Sequence, residues 1–113
     1  MDCIFCKIAA GEIPSKKLYE DDLVFAFYDI APQAPTHFLV IPKAHAASSS
    51  NDITAENSAV VGHIFAVIAK LAAQLGLSGG YRVITNCGAD AHQSVQHIHF
   101  HVLAGRDLGE QLC

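Results

Sequence analysis

The spacing of apolar residues along this chain switches between a period of two and a period near 3.6, and the switches mark its elements. Cys3 to Ala10 supplies about two helical turns, ended by Gly11 as a left-handed cap and by Ile13-Pro14. Leu18-Tyr19 and Leu23-Val24-Phe25-Ala26-Phe27-Tyr28 read as two strands across the acidic turn Glu20-Asp21-Asp22. Two prolines, Pro32 and Pro35, stiffen the loop that begins at Asp29, and the strand His37-Phe38-Leu39-Val40-Ile41 follows and is closed by Pro42. Asp52 or Thr54 signals a helix start, and apolar residues at 60, 61, 64, 65, 67, 68, 71 and 75 carry the helix to Gly76. Ser78-Gly79-Gly80 turns the chain into a strand over Tyr81 to Asn86, and a polar loop from Cys87 to Val95 leads to a last strand, His97 to Leu103. Helix, strands, helix and strands predict an α+β fold: an antiparallel meander sheet with one long helix and a short N-terminal one. The 113 residues fit one domain, 1–113, and no repeat or linker interrupts them.

The last strand, His97-Ile98-His99-Phe100-His101-Val102-Leu103, sets three histidines on one face and Ile98, Phe100 and Val102 on the other. Each buried imidazole needs partners for two nitrogens, and an exposed one contributes little to packing, so structure alone is a poor reason for this row. A solvated face, a metal cluster and a catalytic pocket all fit the spacing, and function is the stronger reason for it. The long helix carries polar residues only along a narrow stripe, Glu56, His63, Lys70 and Gln74. Its remaining circumference is apolar or small and needs covering on two sides, by the sheet and by a second copy of the chain in a two-fold homodimer.

Composition narrows the partners. Hydrophobic residues make up 51% and charged ones 16%, with a net charge of −4 and only seven Lys and Arg, which argues against a surface that tracks nucleic acid and leaves room for one small nucleotide. Met1 to Lys7 lacks a basic segment followed by an apolar stretch, and no apolar run reaches the roughly 20 residues that span a bilayer, so a soluble, cytoplasmic chain with no membrane partner is expected. In that reducing setting Cys3 and Cys6 form a C-x-x-C suited to a metal or to redox chemistry, while Cys87 and Cys113 are isolated and carry no assigned role.

The chain closely resembles the histidine triad (HIT) superfamily, and in particular its Hint-like, zinc-containing bacterial type. The resemblance rests on the triad His97-Ile98-His99-Phe100-His101-Val102-Leu103, on the run from Asp29 to Lys43 and on Gln93-Ser94-Val95. It implies a homodimer with a sheet continued across the interface, a purine nucleotide pocket, and hydrolysis at the α-phosphorus through a nucleotidyl-histidine, the activity of a purine nucleoside phosphoramidase. By resemblance His99 is the nucleophile, its second ring nitrogen held by a backbone carbonyl near the first triad histidine. His101 binds the phosphate or bridging oxygen and assists the leaving group, and His37 completes the cluster. Asn86, Gln93 and Ser94 donate to phosphate oxygens, Asp29 accepts from the ribose hydroxyls, and Phe5, Ile8, Phe27 and Ile30 form the slot for the base. Cys3, Cys6, His45 and His97 are implied as four ligands of a structural zinc. Two departures stand out: Ala91-His92 replaces a Gly-Gly, and the C-terminus lacks the Trp-Pro-Pro-Gly of animal relatives, which bears on the leaving group. Diadenosine polyphosphate hydrolysis, and a non-catalytic zinc-stabilised nucleotide-binding dimer, are the competing expectations.

Overall fold

Strict alternation in two adjacent strands decides the layering. In the computed structural model, which describes residues 3–112, β1 (Lys17–Glu20), β2 (Val24–Tyr28), β3 (Thr36–Pro42), β4 (Tyr81–Ile84) and β5 (Phe100–Ala104) form one antiparallel sheet in the order β1-β2-β3-β5-β4. The first three strands are a meander. The chain then crosses to the far edge through the long helix, and β4 and β5 return as a second antiparallel pair, with β5 beside β3.

On one face, Val24, Ala26, Phe38, Val40, Ile98, Phe100 and Val102 pack against α2 (Ala59–Gln74) through Ile64, Val67, Ile68 and Leu71. On the other, Phe25, Phe27, Leu39 and Ile41 pack against Phe5 and Ile8 of α1 (Ile4–Ala9). Because both faces are covered, β2 and β3 read as continuous apolar runs. The triad shares the face of α1, since His101 pairs with Leu39, and His37 with Leu103.

Several boundaries differ from expectation, three of them for a clear local reason. Cys3 stands before α1 and caps it, its sulfur accepting from the Cys6 N–H at 3.3 Å. The long helix begins at Ala59 because Asn57 competes for the backbone: its Oδ1 accepts from the Thr54 N–H at 2.7 Å and its Nδ2 donates to the Asp52 carbonyl at 3.1 Å. β4 ends at Ile84, after which the Thr85 hydroxyl donates to the His99 carbonyl at 2.8 Å. Among the described residues no helix is long and apolar enough to cross a membrane; Cys113 lies outside those residues.

Candidate active site

β5 begins only at Phe100, yet the alternation of faces runs on through His99 and His97: the His99 and His101 rings lie 5.2 Å apart, and Phe5 meets the edges of both His97 and His99. His97 and His99 are buried, and His101 is half-buried.

Hydrogen bonds assign the protons. His99 Nδ1 lies 2.8 Å from the His97 carbonyl, which can only accept, so Nδ1 carries the proton and the neutral ring keeps its lone pair at Nε2. Burial pushes the His99 ring below its ordinary pKa, so at neutral pH it is uncharged. His37 has the reverse arrangement. The Gln33 N–H donates to His37 Nδ1 at 3.0 Å, which leaves the proton on Nε2, and Nε2 in turn donates to His101 Nδ1 at 2.9 Å. His101 therefore carries its proton on Nε2. Burial first, and then the neighbouring His99 and His37 rings, push His101 down to about 4. One ring thus offers a lone pair and the next an N–H. Asp29 Oδ2 lies 3.4 Å from His37 Nε2 and 3.8 Å from His101 Nδ1, and its Oδ1 accepts from the Ala31 N–H at 2.8 Å.

A second cluster lies behind the triad. Cys3 Sγ and Cys6 Sγ stand 3.2 and 3.4 Å from His97 Nδ1, Cys6 Sγ stands 3.5 Å from His45 Nδ1, and all four donor atoms fall within 4.8 Å of one another. A tetrahedral ion with sulfur at about 2.3 Å and nitrogen at about 2.0 Å sets such edges at roughly 3.5 Å. His97 Nε2 donates to the Pro42 carbonyl at 2.8 Å, so the lone pair faces the sulfurs, as an outer-shell carbonyl arranges for a metal-binding imidazole. Burial and the adjacent Cys3 sulfur raise the Cys6 thiol to about 11, a penalty that a cation between the sulfurs would remove. Cys3, Cys6, His45 and His97 can therefore hold a metal ion. Asp29, His37 and His101 are equally close together, but the Gln33 N–H occupies the lone pair that His37 would have to move to Nε2. That second group is a proton chain.

The other expected residues divide. Phe5, Ile8 and Phe27 are buried in one cluster, with Phe5 and Phe27 edge to face at 5.6 Å, whereas Ile30 is 100% exposed. Asn86 is half-buried just beyond β4, and Ser94 is exposed and lines a cavity beside Cys3 and His45. Gln93 is engaged within its own loop. Its Oε1 accepts from the Gly88 N–H, its Nε2 donates to the Ser48 and Val95 carbonyls, and its backbone N–H donates to the Gly88 carbonyl, so its donors already hold the loop. Thr85 and Gln33 were invisible in the sequence: one grips the His99 backbone through a common hydroxyl, the other acts through a backbone N–H that every residue but proline has.

The sequence profile of the HIT domain matches residues 10–108. The chain belongs to the HIT family. It is 48% identical over 112 residues to the purine nucleoside phosphoramidase of Escherichia coli, covering 98% of this chain and 93% of that protein. An uncharacterized HIT-like protein of Synechococcus elongatus is 50% identical over 107 residues, 95% of this chain and 93% of its own length. The solved structure of a histidine triad protein from Clostridium difficile superposes with a TM-score of 0.94 at 54% identity, over 98% of this chain and 96% of that one. Within this HIT chain His97 faces two ways: its ring meets the thiols while its carbonyl accepts from the ring of His99.

Proposed function

We propose that this chain is a purine nucleoside phosphoramidase, which cleaves the P–N bond of a nucleoside phosphoramidate through a nucleotide bound covalently to His99. The observation that carries the reading is the 2.8 Å contact from His99 Nδ1 to the His97 carbonyl, since it leaves Nε2 unprotonated and aimed. In the first step the Nε2 lone pair bonds to the α-phosphorus and the bond from phosphorus to the amine nitrogen breaks. An anionic phosphate beside His101 raises that ring's proton affinity, so His101 gains a proton with substrate and gives it to the departing amine. Water then attacks the phosphorus, the P–N bond to His99 breaks, and nucleoside monophosphate leaves.

His37 positions His101, Asp29 accepts from the ribose hydroxyls, and Phe5, Ile8, Phe27 and Ile30 meet the base. Asn86 and Ser94 donate to phosphate oxygens; Gln93 holds their loop in shape. Zinc is the ion that two thiolates and two imidazoles favour, and with four protein ligands it would fasten α1 to the triad rather than activate water. The reading includes a cytoplasmic setting, where the thiols stay reduced, and a homodimer. The dimer is supported by the exposed apolar Phe65 and Leu75 on and just after α2, and by the exposed Tyr81 on the free edge strand β4.

Turnover of an adenosine phosphoramidate and of a diadenosine polyphosphate, measured side by side, tests the reaction. The phosphoramidate is expected to be preferred, and His99→Ala is expected to lose at least about 10⁴-fold of the rate. Tight binding of AMP with turnover of neither substrate would overturn the assignment.

A further inference from the structure

The metal cluster is open to small molecules on one side. A cavity of about 430 Å³ is lined by Cys3 and His45 together with Ser48, Ser94 and Gln96. Cys3 lines this cavity with 8% of its surface exposed, and Cys6, one helical turn on, is half-buried, with both sulfurs against the same nitrogen of His97. Two cysteines at this i, i+3 spacing are within the reach of a disulfide. His97 joins this cluster to the nucleophile by hydrogen bonds: its Nδ1 faces the sulfurs and its carbonyl accepts from His99 Nδ1, while Phe5, between the two cysteines, packs on both rings.

We infer that Cys3 and Cys6 are a peroxide-responsive dithiol whose oxidation expels the bound metal and, through His97, releases the orientation of His99. The inference rests on the metal reading given above. The Cys3 thiolate attacks a peroxide oxygen and the O–O bond breaks, giving a sulfenic acid and hydroxide. The Cys6 thiolate then attacks the Cys3 sulfur, the S–O bond breaks and a second hydroxide leaves. Two protons from solvent turn both hydroxides into water. The sulfurs lose two electrons, the peroxide gains them, and the metal departs with its charge unchanged. With two of four ligands gone, His97 Nδ1 has no cation to face, and its ring keeps only the Pro42 carbonyl as a hydrogen-bond partner, beside the packing of Phe5 and His45. The His97 carbonyl, whose peptide unit the Ile98 N–H still ties to the Ala47 carbonyl at 2.9 Å, then loses the metal's share of its register for His99. The enzyme would be silenced in a peroxide-rich cytoplasm and restored by a thiol reductant and fresh metal.

The test uses the full chain, loaded with zinc, carrying Cys87→Ser and Cys113→Ser so that Cys3 and Cys6 are the only thiols. Hydrogen peroxide is expected to release about one zinc per chain to a chromophoric chelator, in step with loss of two hydrogens from the peptide holding both cysteines. The His99 Nδ1–H signal in ¹⁵N spectra should fade and turnover should fall by about tenfold or more, and a reductant with zinc should reverse every change. Cys3→His keeps four ligands but no dithiol, and should hold its zinc through the same treatment. Retention of zinc with both thiols intact, loss of zinc from Cys3→His, or zinc release that leaves the His99 signal and turnover unchanged would each overturn the inference. A reduced chain that takes up no zinc would instead overturn the metal reading beneath it.

Discussion

His99 and His101 differ in which nitrogen bears the proton, and this difference gives them separate work. ¹⁵N chemical shifts of the two neutral rings should report opposite tautomers, Nδ1–H for His99 and Nε2–H for His101; identical tautomers would break the proton chain from Gln33 through His37. Because burial lowers both rings below 6.5, the acid limb of kcat/KM is expected below pH 6.5 rather than at it, with activity falling as His99 gains a proton. A limb above 6.5 would contradict that order of affinities. His92 offers a smaller test. It sits at φ 59°, at a position where the resemblance has glycine, so His92→Gly should raise stability by up to about 1 kcal/mol in urea unfolding. The three triad histidines were legible in the sequence because a period of two needs no tertiary knowledge. The proton assignments were not, because they depend on backbone carbonyls and N–H groups that are brought in from Pro42 and Gln33 only by folding.

Elements hold these residues by a few specific ties. Gly105, just past β5, has φ +99°, and a Cβ there would stand 2.8 Å from the Pro35 side chain. Gly105→Ala should therefore push the Asp29–Pro35 loop away from His101, costing roughly 1–3 kcal/mol of stability and lowering turnover. Unchanged thermal and kinetic behaviour would show that the loop does not depend on this contact. The turn between β1 and β2 is tied to α2 by Asp21, whose Oδ2 lies 2.7 Å from His63 Nε2 and whose Oδ1 accepts from the Leu23 and Val24 N–H groups. Partial burial pushes this carboxyl up, but His63 and those N–H groups, with the Tyr19 hydroxyl, outweigh it and hold it well below the usual carboxylate range. Strands and helices were readable where apolar residues were periodic. The start of α2 was not, since Asp52 and Thr54 look like caps and only the folded Asn57 shows which backbone groups are already taken.

Across the whole molecule, one sheet separates a structural face under α2 from a chemical face under α1, and the metal cluster and the nucleophile share the second. Its acid response follows from the lowered rings. Between pH 6.5 and about 4 the unfolded histidines bind protons that folded His99 and His101 refuse, so stability is full above 6.5 and falls as pH drops through that window. Protonation of Asp21 removes more below about pH 4. Thermal melts against pH should follow this course, and a flat response from pH 6.5 to 4 would contradict it. Sedimentation is expected to report a dimer, and Phe65→Glu to weaken it; a monomer at all concentrations would remove the second copy from the account. The most direct test of the central claim is to quench the enzyme during turnover of an adenosine phosphoramidate and locate the nucleotide by peptide mass spectrometry. The account expects AMP bound to His99 alone, and AMP on another side chain, or on none, would contradict it.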